Sequence, residues 1–278
     1  MDLEIRGVIN DRSMTGFQVA AVAICVLLNV LDGFDVLVVA FTASEVSREW
    51  ELNATQMGAL LSAGLVGMSV GSIVVAPLAD VWGRRAVVLA SLGLVTLGML
   101  ASALSRSMLE LAALRVVTGI GIGGMLASLT VITSEYSSNR RRNLCVSLVA
   151  TGYPIGAVLG GSLAAILIAR QGWRAVYACG GLVSLALIPI VLTRLPESLD
   201  FLLARRGPES LARINRLLRA LGHAELGELP ASPRASAPRA APRQLFEAPL
   251  GVLTLLIWTA FFAHMLCFYF VVSWTPKL

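Results

Sequence analysis

The chain has 278 residues, of which 56% are hydrophobic and 14% charged, and its mean hydropathy is +0.78. These values exclude a soluble globular domain and define a membrane protein. The formal net charge of +5 does not imply a nucleic-acid partner, because the arginines gather in the gaps between apolar runs, as they do in the cytoplasmic loops of polytopic proteins.

A bilayer-spanning helix needs about 20 apolar residues. Seven stretches qualify, at 17–41, 54–78, 86–105, 107–133, 144–169, 173–193 and 248–274. The first is too long for a signal-peptide core and lacks a small-residue cleavage site, so it reads as a retained helix. With the N-terminus inside, sixteen Lys and Arg side chains fall on inside segments and five on outside ones, which assigns a cytoplasmic N-terminus. Cys25, Cys145, Cys179 and Cys267 lie in apolar runs without metal-ligand spacing and read as small buried hydrophobes.

The first span holds two acids in LNVLDGFDVLVVAF. Asp32 and Asp35 are three apart, hence on one face of the helix. Counted from Phe17 at about 1.5 Å per residue, they lie roughly 22 Å and 27 Å along it. Gly33 between them permits close approach of another helix or a substrate. Between the second and third spans, APLADVWGRRAV places Asp80 before Gly83, Arg84 and Arg85. The glycine allows a tight turn and the arginines hold the helix end at the headgroups, with the acid in reach of them.

The fourth span, LRVVTGIGIGGML, carries Arg115 ahead of Gly119, Gly121, Gly123 and Gly124. Glycines on a helix in lipid mark close helix packing, whereas an intramembrane cation needs a partner or a watered cavity. Counted from Ser107, Arg115 lies roughly 12 Å below the outer surface, close to the depth of Asp32, and an Asp32–Arg115 pair is expected. The inside end reads SEYSSNRRRNL, with Glu135 seven residues before Arg142.

Residues 194–245 divide in two. Leu211, Ile214, Leu217, Leu218 and Leu221 form an apolar stripe, which predicts one or two short helices along the inner membrane surface. LPASPRASAPRAAPR, rich in Pro, Ala, Ser and Arg, reads as a flexible linker. The seventh span, within 246–278, is aromatic; Trp258 and Trp274 suit interfacial positions, and Tyr269 and His264 are its candidate ligands.

Taken in order, these motifs resemble the major facilitator superfamily. The Asp80–Arg85 loop is similar to its Gly-x-Leu-Ala-Asp-x-x-Gly-Arg-Arg/Lys signature, with Ala76 in place of the leading glycine, and Arg115–Gly123 to its Arg-x-x-x-Gly-x-Gly-x-Gly pattern. Glu135 and Arg142 echo a Glu and Arg-Gly element, with Asn143 in place of glycine. GYPIGAVLGG and LPESLDFLL are similar to further elements in the fifth helix and after the sixth. LDGFDVLVVAFTASEVSREW, read as helix followed by an acid-containing outer loop ending at Trp50, resembles the aromatic acid:proton symporter branch, although that branch often has a proline here. The resemblance implies an all-α membrane protein with a six-helix N-terminal half at 1–193. One helix of a second half follows, the rest of which is expected to be truncated and stands as the missing partner. It also implies proton coupling or substrate handling at Asp32 and Asp35, and conformational gating by Asp80, Gly83, Arg84, Arg85, Glu135 and Arg142; the aromatic wall of the seventh span would suit an aromatic carboxylate, with Arg115 or His264 as its anion partner. The implied substrates are small organic, notably aromatic, acids and protons. In two inverted three-helix repeats the first and fourth helices are equivalent, which favours the Asp32–Arg115 pair.

No cofactor or metal is implied. The helix count alone would also suit a seven-helix receptor or signalling protein. Its pigment form is excluded because the only lysine, Lys277, lies beyond the seventh span. A membrane enzyme finds no His/Glu metal pair and no serine or cysteine dyad.

Overall fold

The computed structural model describes residues 14–204, 208–220, 226–227, 246 and 250–274. It is all-helical, with no strand among the described residues. The spanning helices are α1 (Gly16–Glu49), α2 (Ala54–Val74), α3 (Arg84–Ala103), α4 (Met108–Tyr136), α5 (Arg142–Gln171) and α6 (Trp173–Arg194). Two short helices follow, α7 (Leu199–Ala204) and α8 (Pro208–Ala220), and then α9 (Leu250–Trp274). Seven of these helices are long and apolar enough to cross a membrane.

Local chemistry sets the helix starts. Thr15 with Gln18 opens α1 and Asn53 with Gln56 opens α2, each as a reciprocal capping box. Ser107 accepts from the Glu110 amide at the start of α4. Beyond α2 the chain passes through a 3₁₀ turn, Ala76–Leu78, and one helical turn, Ala79–Trp82, to Gly83. Pro77, which has no amide hydrogen, sits in that 3₁₀ turn. Gly83 (φ +100°) and Gly172 (φ +82°) each form a single-residue joint, between α2 and α3 and between α5 and α6, in backbone space that favours glycine.

One expectation is corrected. Residues 42–49 continue α1 and are not an outer loop; Trp50 is its C-cap. Neither proline nor glycine occurs between Phe34 and Glu49 to stop the helix, and the Thr42 hydroxyl donates to Val38 O one turn back at 2.8 Å.

α1 packs on α5, and α2 on α4, while α3 lies against α4 and α6. Under an exchange of α1–α3 with α4–α6 the α1/α5 seam becomes the α4/α2 seam, and the joint at Gly83 becomes the joint at Gly172. Glycine makes both seams close. A Cβ on Gly33 would meet Tyr153 O at 2.0 Å and one on Gly119 would meet Gly64 O at 2.2 Å. Gly123 faces Met68 on α2, and Gly121 turns toward Ser91 on α3. α1 and α4 are thereby the most enclosed helices, and α2 and α5 leave long apolar faces uncovered.

α7 and α8 pack on each other through Leu202, Leu203, Ile214 and Leu218. Leu221 and the linker at 229–243 fall outside the described residues. The chain divides into two compact units, Met1–Ala231 and Ser232–Leu278. Within the second, α9 is apolar on all sides, and Trp258 meets Phe246 edge to face at 5.5 Å.

Candidate functional site

The interior of the bundle holds a charge pair. Arg115 on α4 donates from Nη1 to Asp35 Oδ1 on α1 at 2.8 Å, and both side chains are enclosed. The second guanidinium nitrogen donates to Ser102 Oγ at 3.1 Å and approaches Met99 Sδ at 3.3 Å, both on α3. The guanidinium carbon lies 5.0 Å from the centroid of the Tyr177 ring on α6, at cation–π distance. Tyr177 OH and Thr42 Oγ1 are 3.2 Å apart; because Thr42 donates to Val38 O, the phenol supplies the proton here.

This corrects the expected Asp32–Arg115 pair: the partner is Asp35. The first apolar run ends at Phe41, but eight further residues of α1 lie beyond it. Both acids are therefore deeper, by about 12 Å, and Asp35 is the nearer to Arg115 in level. Asp32 is completely buried, and neither of its carboxylate oxygens has a hydrogen-bond partner among the described residues. Asn29, one turn earlier, donates to Val149 O on α5 at 2.5 Å. A charge at Asp32 thus carries an uncompensated desolvation cost that a bound proton removes.

At the end of the bundle where α1 begins, the loop residues meet the segment after α6. Asp80 and Arg84 pair at 3.4 Å, on the exposed side. The Arg85 amide donates to Glu197 Oε1 at 3.1 Å, and Tyr136 OH donates to Glu197 O at 2.7 Å. Gly83 packs beside the Glu197 carboxylate, where a Cβ would lie 2.5 Å from Oε2. Glu135 accepts from Ser198 Oγ at 2.9 Å and from the Leu199 amide at 2.8 Å, so it caps α7. Arg142 donates from Nε to Ser134 O at 3.1 Å. At the opposite end, where α1 terminates, Glu49 accepts from the Trp173 indole at 2.7 Å and from Arg174 at 2.8 Å.

His264 and Tyr269 lie on α9 in the other unit, His264 exposed and Tyr269 half-buried. Sequence reasoning missed Ser102, Met99, Tyr177 and Thr42 around Arg115, and it assigned no role to Glu197 within the LPESLDFLL element. One signal was available for α1. Asp35, Thr42 and Glu49 recur every seven residues, hence on nearly one helix face.

Six interlocked spans around a buried charge pair between α1 and α4 define the fold of a helical membrane transporter bundle. The chain belongs to the Major Facilitator Superfamily, whose family model matches residues 22–278. In fold it is similar to the xylose transporter XylE from Escherichia coli in a partially occluded inward-open conformation. The TM-score there is 0.73 at 15% identity, over 94% of this chain and 67% of that one. In sequence it is 36% identical to a gallate transporter of Pseudomonas putida and 33% identical to the 4-hydroxybenzoate transporter PcaK of Pseudomonas aeruginosa. Both alignments cover 99% of this chain and 62% of the relative. A 3-(3-hydroxy-phenyl)propionate transporter of Escherichia coli is 31% identical over 92% of this chain and 56% of the relative. The chain thus spans about three fifths of the length of the curated relatives it matches. The superfamily consists of transporters and not enzymes, and membership does not favour the receptor reading.

Proposed function

We propose that the chain is the proton-handling half of a carrier for small aromatic acids. The observation that carries this reading is the enclosed Arg115–Asp35 pair with the unpartnered Asp32 one turn away. The names of the relatives supply the substrate class, since gallate, 4-hydroxybenzoate and hydroxyphenylpropionate are all aromatic acids. A substrate carboxylate competes with Asp35 for Arg115, and Asp32 carries the coupled proton; His264 and Tyr269 are candidate contacts from α9. The organisation is a six-helix half at 1–193, a cytoplasmic segment at 194–245 and the seventh helix within 246–278. The second half of a two-half carrier is the required partner. The cation bias supports a cytoplasmic N-terminus in the inner membrane of the cell. Asp80, Gly83, Arg84, Arg85, Glu135 and Arg142, gathered at the inner end, act in gating as the halves rock.

The test joins the chain to the part of the gallate transporter that it does not match. Uptake of labelled gallate and 4-hydroxybenzoate into cells making the chimera is expected, and it is expected to collapse with a protonophore. Uptake that persists without a proton gradient overturns the coupling, and absence of uptake by a well-inserted chimera overturns the substrate class.

A further inference from the structure

Three residues on one face of α1 meet partners at successive levels. Asp35 meets Arg115, Thr42 meets Tyr177, and Glu49 meets Trp173 and Arg174. Opposite them, the partner side chains touch one another in a column. The Arg174 guanidinium lies 4.2 Å from the Trp173 ring centroid. Trp173 meets Tyr177 edge to face at 5.7 Å, and Tyr177 carries the Arg115 guanidinium at 5.0 Å. Trp50 closes on the outer side of Trp173 at 5.3 Å. A guanidinium thus stands at each end of two aromatic rings, and each guanidinium is held by a carboxylate from α1. Arg174 also donates to Ser105 O at 3.1 Å, which ties the top of the column to the α3–α4 link.

We infer that this column, from the Glu49 clasp through Trp173 and Tyr177, positions Arg115 and determines which of the two acids it pairs with. Asp32 lies one turn, or about 4.5 Å, below Asp35 on the same face, with both oxygens lacking donors among the described residues. A guanidinium that loses the ring beside it has Asp32 as its alternative partner. The favourable cation–π contact with the negative ring face and the edge-to-face fit of Trp173 hold the ring plane that keeps Arg115 at the level of Asp35. The phenol OH on Thr42 fixes the same ring from α1. Tyr177 and Trp173 are therefore positioning residues, and Glu49, half-exposed at the outer surface, connects the state of the outer end to the buried pair. The inference deepens the transport reading by naming what leaves Asp32 free, and its test involves no uptake, so either can fail alone.

The test uses the 278-residue chain in lipid nanodiscs with its arginine guanidinium nitrogens labelled. The Arg115 signal is identified by its loss in Arg115→Gln. Its Nη protons are expected at an upfield, ring-shifted position. Tyr177→Phe should keep that position, while Tyr177→Leu should abolish the ring shift. In the Tyr177→Leu background, Asp32→Asn should move the Arg115 signal, because Asp32 has become its partner; with Tyr177 present it should not. Glu49→Ala changes a side chain that is 41% exposed and opens no cavity beside Arg115, and it should move the buried Arg115 signal. An Arg115 signal unmoved by Glu49→Ala, or one that is not ring-shifted in the unaltered chain, overturns the inference even where Tyr177→Leu fails to fold.

Discussion

Arg115 pairs with Asp35 and leaves Asp32, three residues before it on the same helix, without a hydrogen-bond donor among the described residues. The two acids are neighbours in sequence and differ in circumstance. Removing one member of an enclosed pair strands the other charge, at a cost of about 3–5 kcal/mol. Removing both strands nothing.

Asp35→Asn and Arg115→Gln are therefore each expected to lower the stability of the chain by about 3–5 kcal/mol, and the double variant by clearly less than the sum. Asp32→Asn is expected to cost little, since Asp32 has no hydrogen bond to lose among the described residues. Thermal unfolding in one detergent at constant lipid content measures all four. Strict additivity of the two single losses would show that the 2.8 Å contact contributes no coupling.

Proton-linked uptake should show the opposite ranking. In the chimera with the gallate transporter, Asp32→Asn is expected to abolish accumulation against a gradient while membrane insertion and melting stay unchanged. Exchange of labelled substrate across the membrane at equal proton concentration should survive, because the proposed anion partner Arg115 is intact. Concentrative uptake by the Asn variant would remove Asp32 from the coupling role.

The close seams give a stability prediction with an internal control. A Cβ at Gly33 would fall 2.0 Å from Tyr153 O, whereas one at Gly58 meets nothing within 4 Å. Gly33→Ala is expected to cost about 3 kcal/mol or more through backbone displacement. Gly58→Ala should be neutral, or stabilising by about 0.5–1 kcal/mol, because alanine is the better helix former. Equal melting temperatures for the two variants would contradict the packing.

The spans and the close seams are legible in the amino-acid sequence. Apolar runs of bilayer length fix the spans, because a backbone in lipid must satisfy its own hydrogen bonds. The glycines of span four point to a close neighbour for the same physical reason that they pack here. How far α1 continues is not legible in this way. Thr42, Ser44, Glu45, Ser47 and Glu49 read as loop by polarity, but intrahelical hydrogen bonding and Arg48 pairing with Glu45 keep the helix going. That extension shifts both acids in depth and exchanges the partner of Arg115. Tyr177 and Trp173 escape a sequence reading because aromatic residues at the outer end of a span look like interfacial anchors; only the three-dimensional fold turns them onto a buried cation.

At the joint between α2 and α3, Glu197 accepts the Arg85 amide and sits beside Gly83. Glu197→Ala would leave that amide without its acceptor, a loss of about 1–3 kcal/mol where the group is enclosed. The expected result is faster hydrogen exchange at residues 83–86 with α1 and α4 unaffected. Unchanged exchange there would show that the carboxylate does not hold the loop.

The last prediction concerns the polypeptide of these 278 residues by itself. Alternating access in two-half carriers rocks one bundle against another around a shared site, and the curated relatives are longer, with 62% of the gallate transporter matched. Purified and reconstituted alone, the chain brings Asp32, Asp35 and Arg115 but no second bundle against which to move. Its α2 and α5 faces are largely exposed among the described residues. Liposomes holding it are therefore expected to show no gradient-driven uptake of 4-hydroxybenzoate, while liposomes holding the chimera accumulate it. The comparison separates a missing half from a wrong substrate, because both preparations share every residue of the proposed proton site. Accumulation by the 278-residue polypeptide alone would mean that two copies can rebuild a carrier, and would replace the second half with a second copy as the required partner.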